Sequence, residues 1–410
     1  MDLWLNLSPT LQSVLLFLWG AFVGGQINRG IYRLAYDPRR IGPWSPPPPG
    51  VPSRRWYDRL PVVGWLSLRR EAGVVGRGFW IRPLLIEVGF GAGLAALYAF
   101  ETAGRLLPRQ PAVAPPEVEM LLAQFFGHAI LLALMTVATF IDFDEQTIPD
   151  AITVPGTLLG VGLAAALPVS GLPIPQGSGT GVQCVPLRLT SPLPWDESLD
   201  GTTGLLTAIA CFAAWCYALV PKRWIGRRGL RRGVVYFVVG MWRSGWCGPL
   251  AALALAGATG LVAVWGGLGG EWWRSLLSSV VGLAAGGTLV WSFRAIFGLL
   301  LQEEAMGFGD VTLMAMIGAF LGWQATLIAF FLAPFAAVVI AVGQWLLTGR
   351  RDIAFGPYLC LATGFLIVRW DALWNRSAVG LFALGWLIPA FVAVCVLTLG
   401  PVVWLWRRLR

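Results

Sequence analysis

The sequence predicts an all-α, polytopic bundle of about 9–11 membrane-spanning helices. Three observations predict it. Only 12% of the 410 residues are charged and 57% are hydrophobic, where a soluble globular chain carries about 25% charge. Mean hydropathy is +0.69. The apolar residues fall in blocks of roughly 20, the length that crosses a hydrocarbon core of ~30 Å. This composition excludes an ordinary soluble enzyme, a disordered chain and a disulfide-stapled secreted domain.

In chain order, the apolar blocks place helices over 10–28, 83–100, 121–141, 151–168, 203–220, 248–268, 277–301, 311–322, 325–347, 356–368 and 379–406. Residues 233–241 are apolar but too few to span. The first block lacks a basic flank and a small-residue cleavage site, so it is expected to be a retained helix and not a signal peptide. Residues 169–202, rich in Gly, Pro, Ser and Thr, are expected to be irregular. These blocks divide the chain into a first helix (1–28), a basic loop (29–82), helices carrying an acidic motif (83–168), an extended insert (169–300), a second motif with its helices (301–369) and an extra C-terminal helix (370–410).

The formal net charge of +9 is placed by topology and not by nucleic acid. The cations, all Arg except Lys222, cluster in a few loops between apolar blocks. The loop from Arg29 to Arg82 holds eleven Arg against Asp37, Asp58 and Glu71, so it is expected in the cytoplasm, with the N-terminus outside. Threading onward puts 169–202 outside, and puts 221–232, Arg350-Arg351 and the basic C-terminus inside. Membrane lipid is therefore an expected partner and nucleic acid is not. The six cysteines are scattered without a CxxC pair, which indicates neither a zinc site nor a disulfide framework.

Acids are scarce, 21 in all, so their placement is informative. Two windows stand out: Ile141-Asp142-Phe143-Asp144-Glu145-Gln146-Thr147-Ile148-Pro149-Asp150, and Glu303-Glu304-Ala305-Met306-Gly307-Phe308-Gly309-Asp310. Together they hold seven carboxylates and no Lys or Arg. The threading puts both at the same membrane surface, where an ionisable group is costly and usually functional. Two carboxyls brought close cannot both ionise readily, so the pair shares a proton. One member then serves as general base on water while the other polarises a peptide carbonyl. Gly307 and Gly309 would let an extended substrate approach closely. Each window alone has a plainer reading: Asp310 as a helix N-cap, and Asp144, Glu145 and Asp150 as a solvated turn ended by Pro149. Their joint occurrence on one face favours function.

The first window resembles the first catalytic motif of the bacterial type IV prepilin peptidases, the A24 family of GxGD membrane aspartic proteases. The run from Glu304 through Gly307-Phe308-Gly309-Asp310 to Gly322 resembles the second. Arg55-Trp56-Tyr57-Asp58-Arg59-Leu60-Pro61 with Gly64-Trp65, Pro83 to Glu87, and Phe355-Gly356-Pro357-Tyr358-Leu359 are similar to further segments of that family. The resemblance implies a protease of the bacterial inner membrane with Asp142 and Asp310 as its catalytic pair. It would remove the basic leader of prepilins or pseudopilins at the cytoplasmic face. Many members then methylate the new N-terminus with S-adenosylmethionine, a cofactor expected here only if methyl transfer is retained. The family's usual four cysteines are absent from 29–82, so no metal is expected, and Thr312 stands where Lys is common.

A basic leader suggests a role for the remaining acids. Asp144, Glu145, Asp150, Glu303 and Glu304 are expected either to form a collar attracting leader Lys and Arg or only to solvate helix ends. His128, the one histidine, lies 14 residues before Asp142, about 21 Å along a helix, and is expected to pack or hydrogen-bond. Glu87 is expected in an inter-helix hydrogen bond or beside an Arg, and Arg294 is expected to snorkel. Two rival readings are a proton- or cation-coupled transporter, which would place carboxylates at mid-bilayer depth on several helices, and a catalytically retired pilin-binding homologue.

Overall fold

A computed structural model describes residues 2–107, 116–178, 181–220, 243, 245–301, 306–348 and 355–409. The basic segment 221–232, the apolar stretch 233–241, Glu303, Glu304, Arg350 and Arg351 lie outside the described residues. In a bilayer every backbone N–H and C=O must be satisfied within the protein, which leaves helices as the spanning element. The described helices of ten residues or more are α1 (Pro9–Leu34), α2 (Ile81–Thr102), α3 (Val118–Glu145), α4 (Asp150–Ala166), α5 (Thr202–Leu219), α6 (Cys247–Gly267), α7 (Gly270–Leu301), α8 (Phe308–Thr348), α9 (Phe355–Val368) and α10 (Leu387–Leu409).

Seven of these helices are long and apolar enough to cross a membrane, or eight if a bent pair counts as one span. That is fewer than the 9–11 expected, for three physical reasons. The helices α4 and α9 are apolar but short. The expected pair 311–322 and 325–347 is one hydrogen-bonded run, α8, broken at Gly322 (φ 81°, ψ 167°). The C-terminal span is bent by 87° between Trp370–Phe382 and Leu387–Thr398, with Gly385 at φ 59° in the bend. The break at Gly322 reverses the chain: a β-carbon on Gly286 would overlap the Met314 carbonyl while lying 2.9 Å from the Thr326 methyl. Both limbs of α8 therefore lie side by side on α7. Residues Asp310 to Ala319 are buried throughout, so the first limb is the central helix of the bundle.

Close packing follows from small residues. Gly20 of α1 meets Gly91 of α2, where an added β-carbon would come within 2.8 Å of the Gly91 Cα, and Gly24 meets Glu87 in the same way at 2.7 Å. Without a hydrophobic drive between helices in lipid, such close backbone contact supplies the packing energy.

One end of the bundle is tied by the 169–202 segment. It contains a two-stranded antiparallel hairpin, β1 (Pro173–Ser178) and β2 (Gly181–Pro186), where an irregular chain was expected. Gln324 Nε2 donates to the Arg188 carbonyl (2.7 Å), Trp323 Nε1 to that of Leu189 (2.8 Å) and Trp370 Nε1 to that of Pro173 (2.8 Å). His128 Nδ1 lies 2.7 Å from Glu101 Oε1, both side chains buried. That hydrogen-bonding role agrees with the expectation for His128.

At the opposite end the cysteine-free loop 35–80 is organised by buried carboxylates. Asp58 accepts from the Arg55 N–H (2.7 Å), the Ser67 hydroxyl and Arg70 (3.0 Å), and Glu71 pairs with Arg54. Glu87 accepts from Asn28 Nδ2 (3.2 Å), Trp65 Nε1 (2.8 Å) and the Val62 N–H (2.5 Å), which joins the loop to α1 and α2. Burial alone would raise the Asp58 pKa, but its bonds from Arg70, Ser67 and the Arg55 N–H together hold it down to about 2. A folded-state value below the ordinary 3.8 gives stability that is full above the unfolded pKa and lost as pH falls through the folded one. Limited proteolysis should therefore find loop 29–82 protected at neutral pH and exposed as pH approaches about 2, with Asp58→Asn exposing it at every pH.

Candidate active site

The first acidic window folds as a helix–turn–helix corner. Asp142 sits on the last turn of α3, which closes with Gln146 in the left-handed conformation (φ 53°) and its N–H on the Asp142 carbonyl at 2.9 Å. Pro149, with no N–H to leave unpaired and φ preset, precedes the first turn of α4. Asp150 opens that turn.

The second window starts the central limb of α8. Asp310 is not an N-cap: its Oδ2 reaches back to accept the N–H of Gly307, the residue preceding the helix, at 3.1 Å. That is the reciprocal half of a capping box. Arg294 of α7 braces the same turn, its Nε donating to the Met306 carbonyl (3.1 Å) and its guanidinium 5.8 Å from the Phe308 ring centre.

Three segments distant in sequence converge on Ile148, and glycine stands at two of the contacts. A β-carbon on Gly309 would lie 2.8 Å from the Ile148 Cβ and 2.9 Å from its carbonyl oxygen. One on Gly356, at the start of α9, would lie 2.6 Å from Asp142 Oδ2 and 2.7 Å from Ile148 Cδ1. The Gly356 N–H donates to the Asp142 carboxylate. Asp142 and Asp310, both buried, thereby line one cavity of about 560 Å³ with Pro149, Asp150, Gly307, Gly309, Leu34 and Tyr36. Beneath it the Thr312 hydroxyl lies 2.9 Å from Thr153 Oγ1 and bonds to Asp150.

The other acids divide. Asp150 faces the cavity. Asp144 is paired with Arg82 (2.7 Å) and Arg39 (3.7 Å), and Glu145 accepts the N–H groups of Tyr36 (2.7 Å) and Asp37 (3.1 Å). These two acids dock the basic loop onto α3. Glu303 and Glu304 lie outside the described residues. The roles of Gly356 and Arg294 at the site were not anticipated. Gly356-Pro357 at a helix start was visible in the sequence, but nothing local marks its approach to Asp142.

Residues 202–342 match the type IV leader peptidase family, a segment that includes Asp310 and begins after Asp142. The chain is similar to proteins named prepilin leader peptidase/N-methyltransferase. The one from Aeromonas hydrophila is 39% identical over 115 residues, covering 26% of this chain and 39% of that protein. The one from Pseudomonas putida is 35% identical over 103 residues, covering 24% and 35%. The one from Myxococcus xanthus is 30% identical over 158 residues, covering 38% and 42%. The chain thus spans about two fifths of the length of these curated relatives. No solved structure matches. Taken with the long apolar helices, these likenesses make the chain a multi-pass membrane protein that carries the type IV leader peptidase family region.

Proposed function

We propose that this protein is an aspartic endopeptidase that removes the basic leader of type IV prepilins or pseudopilins at the cytoplasmic membrane face, with Asp142 and Asp310 activating water. One observation carries the reading: two buried carboxyls 168 positions apart in sequence line a single open cavity. A buried pair of this kind holds one proton between its members. The ionised member takes a proton from water as the oxygen attacks the scissile carbonyl carbon. The protonated member donates to the carbonyl oxygen, giving a tetrahedral diol that collapses with protonation of the leaving amine. Gly307 leaves room for extended substrate backbone at the cavity wall, whereas the space beside Gly309 is filled by Ile148.

The loop-side end, rich in arginine, belongs in the cytoplasm by the positive-inside rule, with the N-terminus outside and the C-terminus inside. Asp144 and Glu145 have partners within the chain, and Asp150, which faces the cavity, is the described acid placed to meet leader Lys and Arg. Among the described residues no three His, Cys, Asp or Glu side chains gather around a point where a metal could sit. S-adenosylmethionine bears a net positive charge, and the cavity under residues 38–46 is lined by four arginines. That cavity does not suit the cofactor.

The test is co-expression with a pseudopilin carrying a basic leader, followed by mass determination of the pilin N-terminus. Loss of the leader is the expected product. An intact precursor beside well-inserted protein would overturn the reading.

A further inference from the structure

A second cavity, of about 420 Å³, has lining residues next in sequence to those of the candidate catalytic one. The end of α1 contributes Tyr32 and Arg33 to this cavity and Leu34 to the other, and residues 38–46 close over it. Arg29, Arg33, Arg39 and Arg40 line it. Arg39 reaches Asp144 at 3.7 Å, whereas Arg29, Arg33 and Arg40 make no ion pair among the described residues.

Asn28, 2% exposed, lies in the same lining. Its Nδ2 donates to the Pro83 carbonyl (2.9 Å) and to Glu87 Oε1 (3.2 Å). Both partners are acceptors, which fixes the orientation of the amide. The Oδ1 atom is left buried without a hydrogen-bond partner, a state that keeps the full desolvation penalty of the group. The cavity thus offers guanidinium groups for an anion, and Asn28 in its wall holds a buried acceptor still without a donor.

We propose that this cavity binds a phosphate ester bearing a hydrogen-bond donor, in the form of a membrane phospholipid headgroup. The phosphate meets the arginines, and the hydroxyl or ammonium beyond it donates to Asn28 Oδ1. The arginines stand at the loop-side end of the spanning helix α1, the level at which basic pockets between helices meet headgroups. Phosphatidylglycerol and phosphatidylethanolamine carry both features. Phosphatidylcholine carries the phosphate but no donor. A seated headgroup would hold segment 38–46, which Arg39 ties to Asp144 two residues from Asp142.

The test needs no cleavage assay and is independent of the peptidase reading. The purified full chain is offered each of the three lipids in detergent, and retained lipid is read by native mass spectrometry. Phosphatidylglycerol and phosphatidylethanolamine should be retained over phosphatidylcholine. The Arg29→Gln/Arg40→Gln variant should lose retention by roughly fivefold per arginine removed. Equal retention of all three lipids by the unaltered chain overturns the proposal, as does undiminished retention by the variant. Displacement of lipid by millimolar inorganic phosphate or glycerol phosphate would assign the site to a soluble phosphate ester, and the lipid source would be wrong.

Discussion

Asp142→Asn and Asp310→Asn are each expected to abolish leader cleavage, lowering turnover on the order of 10⁴-fold. Asparagine keeps the shape of the side chain but can neither take a proton from water nor give one to the carbonyl. If the proposed pair acts as a unit, the double variant should be no slower than either single one. Membrane insertion should be preserved, since the Gly356 N–H on Asp142 and the Gly307 N–H on Asp310 can both still be accepted by an amide oxygen. Cleavage of a pseudopilin, scored beside the amount of inserted protein, checks this. Residual processing by either variant at near-normal rate would remove the dyad assignment.

Gly309→Ala is expected to cost about 10²-fold in kcat and roughly 1–3 kcal/mol in stability. The new methyl would come within 2.8 Å of the Ile148 Cβ and 2.9 Å of its carbonyl oxygen. Neither neighbour is a flexible tip, so the start of α8 and the corner carrying Asp142 and Asp150 must move apart. The effect should fall on kcat more than on KM, because what is lost is the alignment of two carboxyls on one water. Gly356→Ala should act similarly by pressing on Asp142 itself. Gly89→Ala is the control: beyond its own stretch of helix nothing lies within 4 Å of the added carbon, and alanine favours the helix, so activity and thermal stability should stay at the parent level. A Gly309→Ala protein with unchanged kcat would show that the corner does not need this close approach.

Much of the bundle is legible in the sequence because lipid imposes a simple rule: each apolar block of spanning length must be helical. The expected gap between 322 and 325 coincides with the reversal at Gly322. The two acidic windows were legible because carboxylates are so scarce in this chain that unpaired clusters stand out. Other features depend on tertiary approach. Arg82 and Arg39 meet Asp144 only because the loop folds back over the end of α3, a path no local pattern encodes, and so two acids that looked free are engaged. The β1–β2 hairpin was hidden by Pro173, Pro175 and Pro186, residues that argue against strand on local grounds and are accommodated in a two-stranded ribbon made entirely of edges. The bend after Phe382 turns on Gly385, one residue inside an apolar run long enough to read as straight.

The reversal at Gly322 also fixes a depth. The limb from Phe308 to Gly322 rises roughly 20 Å, less than the ~30 Å of hydrocarbon. Its Gly322 end is moored to the 188–191 segment through Trp323 and Gln324. A limb of that length does not reach across the full hydrocarbon thickness, so the proposed site is expected below the level of the lipid headgroups, in the cavity that Asp310 lines. For the proposed leader peptidase, a polypeptide would have to dip before its greasy stretch begins, and the short limb would then act as a ruler that selects one peptide bond by its distance from the membrane's surface.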